Sequence, residues 1–442
     1  MATEHSNMLS NKLHIIRPLA VIALLGVFTQ AYALPQYSEE KHTGVASCAS
    51  SVCHGKSTPA TNNNVMLNEY KTWITEDRHA SAYKTLLSAE SKRIASNLKL
   101  SAPAHKSDIC LDCHADNVKR SQYGEEFKLE DGVGCEACHG GAEHWLDSHT
   151  EKGATHADNL AKNMYPTEDG FARAALCLSC HLGHKNKLVT HKIMGAGHPR
   201  LIFELESFTA NQPAHYKIDA DYRKRKGEFS GFTMWAVGQL AAVKKQIELM
   251  DTFLLSEHSF FPELTFYDCH ACHHNMSNKR WYEIPSSGKT APGAVRLNLA
   301  NFVMLRAFSA VVYPELFPTL SDGIMTLNTA SQKTPTELKN ALAALRPTVT
   351  TLENKLRKDR FTKSHVNQLR AKLLAQAAKG EYRDYIVAEQ AFYTIEGFTI
   401  SLDQFDQHQA LLDKLFNALA SEDKYDPVKF KSVARSVQRG FQ

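Results

Sequence analysis

Ten cysteines fall into five pairs, and a histidine closes each pair. Cys110-Leu-Asp-Cys113-His114, Cys135-Glu-Ala-Cys138-His139, Cys177-Leu-Ser-Cys180-His181 and Cys269-His-Ala-Cys272-His273 share one spacing. Cys48-Ala-Ser-Ser-Val-Cys53-His54 is a longer version, with four residues between the thiols instead of two. C-x-x-C-H is the attachment signature of c-type haem. Two thiols on one short turn can add to the two vinyl groups of a porphyrin, and the next residue brings its imidazole to the iron as proximal ligand. The expected cofactors are therefore five covalently attached haem c groups.

Zinc and redox dithiols are the competing chemistries for cysteine pairs. A structural zinc needs four ligands to close its shell, and neither alternative asks for a histidine directly after every second cysteine. Histidine is 22 of 442 residues, too sparse for five such neighbours to arise from composition. At Cys48 and Cys53, where the loop is longer, a plain disulfide is the alternative.

Four motifs lie within residues 48–181, and only 25 positions separate His114 from His139. That is too little chain to wrap each haem separately, so the porphyrins must pack together and stand in for a side-chain core. Between the first two motifs, Asn68 to Leu87 reads as a helix carrying Tyr70, Trp73, Ile74 and His79, and Ser88 to Leu98 as a second. His144 to Met164, rich in histidine and polar residues, reads as irregular chain. After the fourth motif, Gly195 and Gly197 allow close backbone approach to a flat ligand, and Pro199 restricts His198 to an extended conformation, which suits a turn presenting His198 to an iron. Arg223 to Lys226 is a short basic cluster that reads as a solvated face or a partner for propionates.

Trp235 to Met250 is a strong helix pattern, with Ala236, Leu240, Val243, Ile247 and Met250 on one stripe. Beyond His274 there is no cysteine. Helices are expected over Pro292–Val312, Thr336–Leu356 with an interruption at Pro347, Lys363–Ala378, Asp384–Phe398, Gln404–Ala420 and Pro427–Val437, their apolar stripes forming a bundle core. No alternating pattern argues for a sheet. The expected fold class is mainly α with much irregular chain: a multihaem cytochrome c core plus a helical bundle.

The first 33 residues read as a signal peptide. Lys12 and Arg17 precede the apolar run Leu19 to Phe28, and Ala31-Tyr32-Ala33 supplies a cleavage site; the run is too short to span a bilayer comfortably. Export to a periplasm agrees with covalent haem. Losing Lys12, Arg17 and Glu4 takes the formal charge from +4 to +3, and two propionates on each of five haems would make the loaded protein negative. No lysine or arginine block points to nucleic acid. The expected division is 1–33 signal peptide, 34–216 tetrahaem domain, 217–290 a helix and the fifth haem segment, and 291–442 a cysteine-free helical domain.

With these residues in view, the segment from Cys48 to about Tyr216 resembles the tetrahaem cytochrome c-554 family. The features recur in order: a first haem motif, Trp73 and His79-Ala-Ser-Ala, Cys110 to His114, Gly132-Val-Gly-Cys135-Glu-Ala-Cys138-His139-Gly, His149, and Cys177 to His181. The longer first motif, the fifth motif and the C-terminal region depart from it. The resemblance implies that most irons carry a second histidine while one haem is open on its distal side. It makes His149 the distal ligand of the first haem and His79 that of the fourth, with His198 or His215 for the third. The spare member of that pair would serve the fifth, and the second haem, on His114, would be the one with an open distal side. Met164, Met194 and Met276 are the methionine alternatives.

Two functions follow. With every iron saturated, the chain would be an electron carrier between periplasmic or membrane-bound redox proteins. With the second haem open, it would be a multihaem oxidoreductase acting on a small nitrogen or sulfur species, with His105, His144 or Lys106 to deliver protons. The cysteine-free helices would cover the fifth haem or form a homo-oligomer or partner interface.

Overall fold

The computed structural model describes residues 33–61, 65–227, 230–254, 262–274, 284, 290–291, 293–419 and 421–441. The expected leader up to Tyr32, together with Met276, Pro292 and Ala420, lies outside them. Among the described residues there is no sheet, only isolated bridges such as His42 with Tyr123 and Tyr267 with Leu297.

The first half is built from short helices joined by turns: α1 Val45–Cys48, α2 Glu69–Glu76, α3 Ala82–Thr85, α4 Ala89–Asn97, α5 Asp108–His114, α6 Cys135–His139, α7 His156–Ala161, α8 Gly170–His181, α9 His191–Gly195, α10 Leu205–Asn211 and α11 Ala220–Lys226. The single helix expected over Asn68–Leu87 is broken. Asp77 is extended, and its carboxylate accepts from the backbone N–H of His79, so the chain stops at Glu76 and restarts as a 3-10 turn, Arg78–Ser81. A capping carboxylate outcompetes helix continuation here. Side-chain cores in this half are small. One gathers Tyr83, Leu86, Ala95, Ala104, Leu111 and Ala115, and another joins Ala174, Leu178 and Leu205 to one face of α12.

The second half is a bundle of long helices: α12 Gly231–Leu249, α13 Ala300–Val312, α14 Phe317–Ala330, α15 Pro335–Leu356, α16 Lys363–Lys379, α17 Tyr385–Ser401, α18 Phe405–Leu419 and α19 Pro427–Gly440. Helix α12 is its axis. It is apolar nearly all round and packs on α8, α10, α13, α15 and α17, as a helix buried on every side must. Trp235 sits edge-on to Phe398 at 5.0 Å and donates Nε1–H to Thr394 Oγ1 at 2.9 Å. One contiguous apolar cluster runs from Phe232 to Val437. Two expectations are corrected. Helix α15 continues through Pro347; one lost hydrogen bond is outweighed by the packing of Leu345, Val349 and Leu352, each at most 2% exposed. Helix α14, which the sequence reading left out, buries Leu320, Ile324 and Leu327.

The halves are tied by polar anchors. Arg200, just beyond α9, donates to Glu389 of α17 at 3.0 Å and to Glu422 at 2.9 Å, and Gln390 donates to the Phe203 carbonyl at 3.1 Å.

Candidate haem-binding sites

Each motif sits on one helical turn or its equivalent. Cys110, Cys135 and Cys177 each precede their partner by three positions on α5, α6 and α8, which puts both thiols on one face. In the fifth motif a 3-10 turn, Cys269–Ala271, does the same, and His273 donates its backbone N–H to the Cys269 carbonyl at 2.8 Å. The longer first motif reaches the same end. Cys53 N–H and Gly55 N–H both close on the Ser50 carbonyl at 2.9 Å, so the extra residues loop out and His54 N–H still meets the Cys48 carbonyl at 3.1 Å. A Cβ on Gly55 would lie 1.9 Å from the Ala49 oxygen, so this tight loop needs glycine. No disulfide joins Cys48 to Cys53, and the described residues gather no cluster of three or more His, Cys, Asp or Glu of the kind zinc requires.

Different motifs adjoin. Helix α1, which ends at Cys48, packs on α6, which begins at Cys135, and the Cys180 thiol donates to the Asp112 carbonyl at 3.8 Å. Lys187 Nζ donates to Cys180 Sγ at 3.1 Å and to the Asp112 carbonyl at 2.7 Å. The first and third motifs therefore share one neighbourhood, and the second and fourth another.

Every motif histidine faces a second imidazole. His54 and His149 have ring centroids 6.2 Å apart and nearly parallel planes, at 9°. His114 and His198 stand at 6.4 Å and 78°, His139 and His215 at 6.3 Å and 88°, His181 and His79 at 6.2 Å and 90°, and His273 and His191 at 6.0 Å and 36°. Two imidazoles sharing one iron place each donor nitrogen about 2 Å from the metal. With each centroid about 1.1 Å behind its nitrogen, the rings should stand about 6.2 Å apart. All five pairs fit that span.

His149, His79 and His215 stand opposite His54, His181 and His139, where the resemblance would put them. The other two pairings differ from the expectation. His198 stands opposite His114, the position expected to be open, and His191 stands opposite His273 in place of the spare member of the His198 and His215 pair. Both come from α9. Thr190 caps it by accepting from Ile193 N–H, and the Glu263 carboxylate accepts the His191 backbone N–H at 2.7 Å, strapping the helix start to the chain before the fifth motif. Asn97 holds the other end through the Ala196 carbonyl at 2.9 Å. The signal for His191 was a histidine at the first position of a Thr-capped turn. Of the groups considered for proton delivery, His105 packs edge-on to Tyr83 at 6.3 Å, and His144 lies 58% exposed beside Glu143.

In five of the ten rings the nitrogen facing away from the pair is held. His54 Nδ1 donates to Glu69 at 2.9 Å and His79 Nδ1 to Asp77 at 2.9 Å; His114 donates to the Ala82 carbonyl at 3.2 Å, His198 to the Pro199 carbonyl at 2.7 Å, and His149 to the Leu146 carbonyl. Such bonds leave Nε2 as the metal-facing nitrogen. Burial lowers the basicity of His114, His181, His215 and, most of all, His139, pushed down to about 3, which keeps them neutral, as ligation needs. Hydrogen bonds to Asp77 and Glu69 pull His79 and His54 the other way. Beside Cys269 lies a small cleft of about 90 Å³, lined in part by Leu188, Met194, Leu201, Leu249, Phe266 and Ile386. The buried Gln246 Oε1 in its lining has no partner.

Residues 47–140, spanning the first three motifs, match the family model described as cytochrome c554 and c-prime. No curated protein and no solved structure matches the chain. The residues, and this match over 94 of the 442 positions, support a c-type cytochrome with covalently bound haem c and a place in electron transfer; over that segment the chain resembles the cytochrome c554 and c-prime family.

Proposed function

We propose that the chain is a periplasmic pentahaem electron carrier in which every iron has two histidine ligands. The observation that supports this is the second imidazole, 6.0–6.4 Å away, opposite each of the five motif histidines. Haem c, once attached, supplies one-electron redox chemistry at an iron whose potential the protein tunes. The chain's part is to saturate and orient. His149, His198, His215, His79 and His191 occupy the position a substrate would need. The adjoining of motifs one and three, and of two and four, draws the attachment edges together. Substrate chemistry at the second site would need an open position, and His198 stands there. Redox proteins of the periplasm or membrane are the partners this arrangement would serve.

The test is the mass of the exported holoprotein, followed by low-temperature electron paramagnetic resonance of its oxidised form. Five attached haems, a chain beginning after Ala33, and low-spin signals that do not change on adding nitric oxide or nitrite are expected. A high-spin signal responding to either ligand would refute saturation. A chain keeping its leader in the cytoplasm would refute the export.

A further inference from the structure

Within the five pairs, two imidazoles differ from the rest in what stands behind them. His54 Nδ1 donates to Glu69 Oε2 and His79 Nδ1 to Asp77 Oδ1, both at 2.9 Å. Three other imidazoles of the pairs donate from that nitrogen to neutral backbone carbonyls: His114 to Ala82, His198 to Pro199, and His149 to Leu146 and Trp145.

Both carboxylates are built in. Asp77 is 7% exposed. Its Oδ1 also accepts the His79 backbone N–H at 3.0 Å, and its Oδ2 accepts Gln212 Nε2 at 2.9 Å. Gln212 begins the segment leading to His215, so Asp77 braces the distal elements of two sites. Glu69 lies at the start of α2, and its Oε1 accepts the Leu67 N–H at 3.0 Å. Each acid thus has one oxygen for the imidazole and another for the scaffold.

A carboxylate accepting the far N–H of a ligating imidazole gives that ring partial imidazolate character, which raises its donor strength; a neutral carbonyl does so much less. Stronger donation favours the ferric over the ferrous state and lowers the reduction potential.

We infer that Glu69 and Asp77 are positioning residues that make the first and fourth haems, those of His54/His149 and His181/His79, the low-potential members of the set. Because α1, which ends at Cys48, packs on α6, which begins at Cys135, and the Cys180 thiol reaches the Asp112 carbonyl at 3.8 Å, each neighbourhood then contains one such haem and one without a carboxylate behind its ligands. Electrons entering either neighbourhood settle on the third or the second haem, and the first and fourth fill last. The inference rests on the five-haem, bis-histidine reading.

The experiment is a dithionite potentiometric titration of the full holoprotein and of Glu69→Gln and Asp77→Asn, followed by electron paramagnetic resonance, with haem number and spin state recorded first. Each variant should keep five low-spin haems while one of the two lowest midpoints, a different one in each, moves upward. Five low-spin haems with unchanged midpoints in both variants would overturn the inference and leave the carrier reading standing. A missing haem or a high-spin iron in the unmodified protein would instead strike the carrier reading. If a variant does not accumulate, the unmodified protein still decides. Near-infrared magnetic circular dichroism should show two irons with imidazolate-shifted charge-transfer bands, and five uniform bands would overturn the assignment.

Discussion

His198→Ala is the substitution that separates this chain from its tetrahaem resemblance. The ring of His198 stands 6.4 Å from that of His114, and its Nδ1 is anchored on its own neighbour, Pro199, at 2.7 Å. Among the described residues no other histidine ring meets His114, so no imidazole is in place to take over. Removing the ring vacates room for roughly two waters at ~30 Å³ each, enough for water or a diatomic ligand at the freed position and too little to collapse the site. One haem in five changes, so about 20% of the total iron should become high-spin. Nitric oxide should bind at one equivalent per chain to the variant, whereas the unmodified protein should bind none. Added imidazole should return the signal to low spin, which a misfolded variant would not do. His191→Ala should open the fifth haem in the same way and with the same stoichiometry, and the double variant should show about 40%. A low-spin spectrum in His198→Ala, or nitric oxide uptake unchanged from the parent, would refute the pairing and with it the argument from ring separation.

Gly132→Ala should destabilise the protein by about 1–3 kcal/mol and disturb the fourth haem's low-spin signal. Gly132 has φ +76°, and its Cβ would sit 2.9 Å from the His79 carbonyl; urea unfolding and paramagnetic resonance would show both effects. Trp235→Phe should cost about 1–3 kcal/mol by removing a buried donor from Thr394, seen as a lower urea midpoint with the haem signals unchanged. Glu206 is pushed up to about 7 by burial and then by Glu204. An acid raised in the folded state contributes stability below its unfolded range that is lost as pH rises through its folded value. The parent should therefore lose stability between about pH 4.5 and 7 through this residue. Glu206→Gln should flatten that part of the curve and raise the urea midpoint at pH 8, and equal midpoints at pH 8 would contradict the assignment.

What could be read without coordinates was local. A haem motif is written within five to seven consecutive residues, and helices α15, α16 and α18 carry their apolar stripes in plain order. The misses were cases where a distant contact or a single side chain decided. Asp77 ends α2 by capping the next turn, which no stripe announces. Helix α14 hides Leu320, Ile324 and Leu327 among Pro318, Gly323 and several threonines and serines, so its spacing is right but its composition is that of a loop. Pro347 looked like a break because the sequence shows its missing donor but not the packing that compensates for it. The distal histidines were hardest, because the members of each pair lie between 76 and 102 positions apart. Their pairing is a property of the folded chain alone.

Helix α9 explains how a fifth site can be added without rebuilding the other four. It carries His191 at its first position and His198 just past its end. Seven residues span at most about 25 Å even when fully extended, so the elements bearing His114 and His273 must both come to this one short segment. Its start is held by Glu263, on the approach to the fifth motif, and its end by Asn97, in the helix before the second. The chain beyond it is held to α17 by Arg200 and Gln390. The bundle has a continuous side-chain core, whereas the first half has only small clusters. The bundle can therefore serve as the rigid wall against which the small cleft beside Cys269 is formed, with Leu249 of α12 and Ile386 of α17 in its lining. On this argument the cysteine-free helices would support a fifth site: they hold α9 and the fifth motif in register, and α9 in turn would close the second site that the resemblance leaves open.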